Sequence, residues 1–245
     1  MSRLEHSEAS GRVTALLVAG GRGARFGGGE PKQFRILGDR PLLAHAAAAL
    51  VTSPLVDAWI LVVPAGFEAA ARTALQAAGV LHKLQAVVPG GATRQDSVWE
   101  GLAAAADATH VLVHDAARPF LTQGMIRDAL AAARRTGACT VAVPVADTLV
   151  RGRPDTPAVA GMLDRTGAWS VQTPQAFARE VLHAAHEQAR ERGLAGTDDA
   201  GLVHAIGHPV ELVHGTWWNL KVTQPEDWAR AEILLALRAQ LEAAG

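Results

Sequence analysis

Leu16-Leu17-Val18-Ala19-Gly20-Gly21-Arg22-Gly23-Ala24-Arg25-Phe26-Gly27-Gly28-Gly29-Glu30-Pro31-Lys32-Gln33-Phe34 begins as an apolar run fit for a buried strand and continues into a glycine loop that carries Arg25 and Lys32. Glycines let the backbone approach an anion and take up conformations closed to other residues, so several N–H groups can face phosphate oxygens while two cations offset the charge. The stretch reads as a cradle for a nucleotide's triphosphate; an ordinary strand-to-helix turn with solvated cations uses the same glycines. It is not the dinucleotide fingerprint, because Phe26 stands where a third glycine belongs after Gly21 and Gly23. Nor is it a P-loop, because Lys32 lies between Pro31 and Gln33.

Outward from this loop, the apolar runs Thr14–Ala19, Ala58–Val63, Leu84–Val88, His110–Val113, Thr140–Val145 and Val210–Val213 suit buried parallel strands. Alanine-rich helical segments separate them: Pro41–Val51, Phe67–Ala78, Gln95–Ala106, Gln123–Arg135, Pro174–Arg190, Asp198–Ala205 and Pro225–Ala243. Several open on Pro or on a Thr/Asp capping pattern. This βα alternation predicts a doubly wound α/β sheet in one domain over residues 1–245, with ligands bound beyond the carboxyl ends of the strands. Asp147–Val171 breaks the alternation. It mixes Gly152, Pro154, Pro157, Gly161 and Gly167 with Val159, Met162, Leu163 and Trp169, and is too long for a routine connection. An apolar arm that finds cover on a second copy, and hence a homodimer, is one reading; a flexible loop of a monomer is the other.

Composition narrows the function classes. Lys and Arg number 23 against 24 Asp and Glu, so no global basic field invites nucleic acid and any anion recognition is local. Met1–Arg12 is polar and mixed in charge, as a flexible tail would be, and no apolar run approaches the ~20 residues that span a bilayer. The single Cys139 allows no internal disulfide and suits a reducing cytosol; it reads as a catalytic thiol or as a small buried hydrophobe.

Asp115 ends an apolar strand, where a carboxylate meets magnesium or sugar hydroxyls, and Arg118 follows close enough to face an anion or to pair with it. Gly90-Gly91-Ala92-Thr93-Arg94-Gln95-Asp96-Ser97 is a second glycine turn feeding a helix. Its backbone and Ser97 could read a base edge, while Thr93 with Asp96 is also a plain capping pattern. Thr148, Arg165, Thr173, Thr197 and Lys221 supply hydroxyls and cations for a second phosphate; Thr197 also reads as a helix N-cap. His183 and His186 lack the Glu and the spacing of a zinc-protease helix, and no Gly-x-Ser-x-Gly elbow is present.

Taken in order, Ala19–Arg25 with Pro31-Lys32-Gln33, Gly90-Gly91 with Arg94–Val98, Val113–Pro119, Val143–Thr148, Asp164-Arg165, Gln172–Gln175, Thr197-Asp198-Asp199 and Lys221-Val222-Thr223 closely resemble the 2-C-methyl-D-erythritol 4-phosphate cytidylyltransferases of the non-mevalonate isoprenoid pathway. The resemblance implies a Rossmann-like nucleotidyltransferase sheet with a protruding dimerisation arm at 147–171. It implies transfer of CMP from CTP to 2-C-methyl-D-erythritol 4-phosphate with release of pyrophosphate, and magnesium on the triphosphate. By the same resemblance Arg25 and Lys32 stabilise charge on the α-phosphate, while Arg165 and Lys221 orient the attacking phosphate. Ala19, Gly20, Gly21, Gly23, Gly91, Ala92 and Ser97 line the CTP side, and Asp115 belongs to the CTP and acceptor sides and is the metal candidate. Arg118, Thr148, Thr173 and Thr197 join the acceptor side, with Thr148 and Arg165 serving the neighbouring subunit. Two positions depart from the pattern: Trp217-Trp218-Asn219 where some members carry an aspartate, and Ala92 where an acidic residue is common. A ribitol 5-phosphate cytidylyltransferase, a non-catalytic CTP-sensing module and a plain interaction domain are the alternative readings.

Overall fold

A computed structural model describes residues 11–21 and 31–244. Its frame is a seven-stranded sheet in the order β11-β7-β10-β6-β1-β4-β5. The strands are β1 (Val13–Val18), β4 (Ala58–Val63), β5 (Leu84–Pro89), β6 (His110–Asp115), β7 (Ala138–Pro144), β10 (Trp169–Ala178) and β11 (Glu211–His214). Two small pairs complete the set, β2 (Ile36–Leu37) with β3 (Arg40–Pro41), and β8 (Leu149–Gly152) with β9 (Val159–Leu163). All neighbours in the large sheet are parallel except β10, which runs against both β6 and β7.

The sequences of β1, β4 and β7 are apolar at nearly every position because both faces are covered. Side chains of alternating direction feed two cores. Leu17, Trp59, Leu61 and Leu112 pack on one side with α1 (Leu42–Thr52), α2 (Glu68–Ala77) and α4 (Gln123–Thr136). Leu16, Ile60, Val62 and Val113 pack on the other with α3 (Arg94–Ala104), α5 (Arg179–Arg192) and α6 (Asp199–Ala205). A third cluster of Leu37, Leu42, Phe120, Val222 and Ala231 seats α7 (Pro225–Ala244) beside the β2–β3 pair.

The chain leaves β1 towards β4 and β5 on one side and returns to β6 on the other. The gap beyond the carboxyl ends of β1 and β6 is therefore a topological switch point, where doubly wound sheets bind ligands.

Two expectations are corrected. Pro174–Arg190 is not one helix: Trp169–Ala178 is β10, and α5 starts only at Arg179. Pro174 suits the first residue of a helix, but it sits at the irregularity between Val171 and Gln175 where the pairing with β7 shifts register, a place that tolerates the missing N–H. The stretch 147–171 is not one irregular arm: it contains the β8–β9 pair, and Trp169–Val171 already belong to the main sheet. Of the expected tail, residues 1–10 lie outside the described residues, and the Arg12 guanidinium bonds Asp107 at 3.1 Å and the Gln85 amide oxygen at 3.1 Å.

Candidate functional site

A cleft of about 180 Å³ opens at the switch point, lined by Ala19, Gly20, Gly21, Lys32, Gln33, Arg94, Asp115, Ala116, Ala117 and Lys221 among others. Four pieces of chain build it. The loop after β1 is held by the Gln33 side-chain amide, which donates to the carbonyls of Ala19 (2.6 Å) and Gly21 (3.2 Å). Lys32 follows Pro31 in a short 3-10 turn, and its Nζ donates to the Val222 carbonyl at 2.6 Å. The start of α3 brings Arg94, the end of β6 brings Asp115, and the segment before α7 brings Lys221, tied down by the Val222 N–H on the Ala117 carbonyl at 2.8 Å.

The two glycine turns meet over Ser97, which is buried, its hydroxyl donating to the Thr93 carbonyl at 2.8 Å. A Cβ on Gly20 or on Gly90 would each stand 2.6 Å from the Ser97 hydroxyl oxygen, so both positions need glycine for the loops to close on it. Thr93 and Asp96 form a full capping box at the start of α3. Ser97 is thus a buried joint between the loops, and Gly91 and Ala92 form the exposed turn just before Arg94.

Among the described lining residues three cations, Lys32, Arg94 and Lys221, face one carboxylate, Asp115. Burial pushes the Asp115 carboxyl up, but Arg94 and Lys221 outweigh it and hold the group well below the usual carboxylate range. Its Oδ2 accepts from Lys221 Nζ at 2.6 Å and its Oδ1 from Arg94 Nε at 3.1 Å. The expected pairing of Asp115 with Arg118 gives way to these two. Arg118 turns its Nη1 to the Asn219 carbonyl at 2.7 Å, and Asn219 in turn donates to Thr173 O at 2.7 Å and Gln172 Oε1 at 3.0 Å.

Thr173 is buried and its hydroxyl is engaged: it accepts from the Asp115 N–H at 3.1 Å and lies 3.1 Å from His114 Nδ1. Burial lowers His114 to about 4, so the ring is neutral, with Nε2–H donating to the Arg118 carbonyl at 3.0 Å. Nδ1 then accepts the Thr173 proton, and this chain of bonds fixes the floor of the cleft. Thr173 shapes the site from beneath.

The other sequence candidates fall elsewhere. Thr148 and Arg165 are exposed beside β8 and β9 and do not line the cleft; Arg165 donates to the Val145 carbonyl at 3.0 Å. Thr197 is exposed and is not the N-cap of α6, because Asp198 takes that place and accepts from the Gly201 N–H at 3.0 Å. Gly23 and Arg25 lie outside the described residues. Cys139 is fully buried, donates to the Ala129 carbonyl at 3.1 Å and is pushed by burial up to about 11, which makes it core.

Sequence reasoning gave no role to Arg94 or Asp199. The signal for Arg94 was a cation at a helix's first residue, where the helix dipole opposes it. The signal for Asp199 was a second acid beside the N-cap Asp198, one more than capping needs.

No group of three or more His, Cys, Asp or Glu able to hold a metal occurs among the described residues. The donor set does not make an all-protein cage. A divalent cation carried by phosphate oxygens would meet one carboxylate here, that of Asp115, whose two oxygens already accept from Lys221 and Arg94.

A family model described as 2-C-methyl-D-erythritol 4-phosphate cytidylyltransferase matches residues 13–237. The chain is 47% identical over 221 residues to the bifunctional enzyme IspD/IspF of Desulforudis audaxviator, covering 90% of this chain and 56% of that protein. It is 42% identical over 229 residues to the 2-C-methyl-D-erythritol 4-phosphate cytidylyltransferase of Desulforamulus reducens, covering 93% of this chain and 97% of that one. The fold matches the crystal structure of the 2-C-methyl-D-erythritol 4-phosphate cytidylyltransferase from Thermus thermophilus with a TM-score of 0.75 at 36% identity, over 90% of this chain and 98% of that one.

Proposed function

The chain belongs to the 2-C-methyl-D-erythritol 4-phosphate cytidylyltransferase family, and from that premise we propose that its cleft binds CTP and positions the acceptor through the residues described. As a nucleotidyltransferase of this family it transfers CMP from CTP to 2-C-methyl-D-erythritol 4-phosphate, yielding the cytidine diphosphate derivative and pyrophosphate. The observation that carries the assignment of the site is the excess of Lys32, Arg94 and Lys221 over Asp115 at the switch point.

The acceptor's phosphate oxygen attacks the α-phosphorus; a P–O bond forms there as the bond to the β-phosphate oxygen breaks, and that electron pair leaves on pyrophosphate. The attacking oxygen is already ionised near neutral pH, so positioning and charge stabilisation replace a covalent intermediate or a strong base. Two anions must approach. Lys32, with Arg25, offsets charge at the α-phosphate, and Lys221 draws in the acceptor phosphate while Arg94 keeps Asp115 charged and in place. Asp115 would hold a magnesium ion bound to the triphosphate, and that ion would supply neutralisation of phosphate charge. The turn at Gly91 and Ala92 takes the cytosine, with Ser97 fixing that turn to Gly20.

Thr148 and Arg165 complete the acceptor side from the arm of a second subunit, so the working unit is a homodimer. The exposed Val150, Val159 and Met162 of β8 and β9 support this. A cytosolic setting is supported by the free thiol of Cys139.

Pyrophosphate release from CTP and Mg²⁺ is measured with 2-C-methyl-D-erythritol 4-phosphate and, separately, with ribitol 5-phosphate. Turnover with the first supports the reading; turnover with ribitol 5-phosphate alone, or CTP binding with no turnover on either, overturns it.

A further inference from the structure

Beneath the cleft, the ion pair at Asp115 continues inward. Arg94, whose Nε bonds Asp115, turns its Nη1 to Asp199 Oδ2 at 2.8 Å, and Asp199 Oδ1 receives His186 Nε2 at 2.9 Å. Asp199 and His186 are both fully buried. Asp199 Oδ1 accepts from His186 Nε2–H, and His186 Nδ1 has no partner among the described residues. Asp199 is also fixed from its backbone: its N–H and that of Ala200 both donate to Gln175 Oε1, at 3.2 and 3.1 Å. The charged chain thus runs Lys221, Asp115, Arg94, Asp199, and ends on the His186 imidazole in the core between α3 and α5.

Stability does not explain this arrangement. Burying two carboxylates against a guanidinium is commonly no better than packing hydrophobic groups of the same volume. Arg94 is, moreover, the first residue of α3, where the helix dipole opposes a cation. Asp199 opens α6, where the same dipole favours an anion. Burial pushes Asp199 up, and Arg94 and His186 outweigh that and keep it ionised. The arrangement does one thing a hydrophobic core cannot: it holds the Arg94 fork at two points, so that its Nε faces Asp115 and Lys221 Nζ is drawn to one place at the cleft.

We propose that Asp199, oriented by His186, is a positioning residue for the transfer reaction: it fixes Arg94, and through Arg94 and Asp115 it sets where Lys221 meets the acceptor phosphate. The inference rests on the function proposed above. Asp199 touches neither substrate; it acts through two intervening side chains. Its removal lets Arg94 swing and Lys221 drift, and misplacement of about 1 Å costs about 10²-fold in rate.

The test is a double-mutant cycle of Asp199→Asn with Lys221→Ala, read as kcat and as KM for each substrate. In the otherwise natural enzyme Asp199→Asn is expected to lower kcat about 10²-fold with KM for CTP nearly unchanged. In the Lys221→Ala background it costs less than about threefold more, because the group it positions is gone. A folded Asp199→Asn enzyme with natural kcat, or an equal loss in both backgrounds, overturns the proposal. Should Asp199→Asn not fold, His186→Gln, which keeps a donor to Asp199, and His186→Leu, which removes it, take its place. The leucine variant must then lose more kcat than the glutamine variant at equal folded fraction; equal kcat in the two overturns the proposal. If the natural enzyme shows no turnover, the function reading falls on its own account. Affinity for inorganic pyrophosphate then reads the cleft: about tenfold weaker binding in Asp199→Asn supports the positioning role, and unchanged binding refutes it.

Discussion

The cleft and the β8–β9 arm carry the same kinds of side chain, cations and threonine, but the protein holds them in opposite ways. In the cleft, Lys221 sits 2.6 Å from a buried carboxylate and Arg94 is held by two. In the arm, Arg165 is exposed, with a bond to the Val145 carbonyl, and Thr148 is exposed. One set is preorganised by its own fold, so no reorganisation is needed when charge develops. The other stands at the surface among uncovered apolar residues.

The comparison breaks first at Lys32. Lys32→Ala is expected to lower kcat about 10²–10³-fold while leaving the thermal transition close to natural, on the proposal that the side chain meets the reacting phosphate; near-normal kcat in the folded variant, by pyrophosphate release, removes it from the chemistry. A mixing experiment sharpens the arm's side. If Arg165 serves the other subunit, Lys32→Ala and Arg165→Ala chains, each nearly inactive, form mixed dimers with one intact site, and activity returns to about a quarter of natural after reassembly of equal amounts. No recovery in a demonstrated mixed dimer places Arg165 in its own subunit's site.

The cleft's floor predicts a pH dependence of its own. His114 stands near 6.5 in an unfolded chain and at about 4 when folded, so the unfolded state binds the extra proton in that window. The stabilisation is complete above pH 6.5 and is lost as pH falls towards 4, by about 3 kcal/mol. Urea unfolding at stepped pH without added metal measures it, and His114→Gln flattens that part of the curve; an unchanged slope contradicts the bond chain. The smallest effect separates two threonines. Thr173→Val is expected to cost about 1–3 kcal/mol of stability by stranding buried partners, and Thr148→Val less than about 0.5 kcal/mol. Equal costs would erase the difference between the two regions.

What could be read in the sequence follows the same divide. Ala58–Val63 is a strand with the bounds expected, and five other parallel strands lie within a few residues of theirs, because a strand covered on both faces leaves an unmistakable apolar run. β10 was hidden because Gln172, Thr173 and Gln175 are buried polar residues that bond to Asn219, to His114 and to Asp198, partners distant in the chain. Arg94 escaped for a related reason: its partners Asp115 and Asp199 lie 21 and 105 residues away, and local patterns carry only neighbours. Lys221 was found by its place in an ordered set of motifs, not by any property of its own segment.

The antiparallel course of β10 has a consequence for how the molecule can be altered. β7 and β10 are adjacent partners joined through the arm, so the chain departs from the sheet and comes back to it at a single rim, as in an overgrown hairpin. A seventh parallel strand would need a crossover over one face, and the arm would then be woven into the packing. As built, everything from Val145 to Ala168, whose backbones are themselves bonded at 3.0 Å, can lengthen, shorten or be exchanged while all seven strands keep their neighbours. The excursion is therefore free to vary separately from the sheet that carries the cleft.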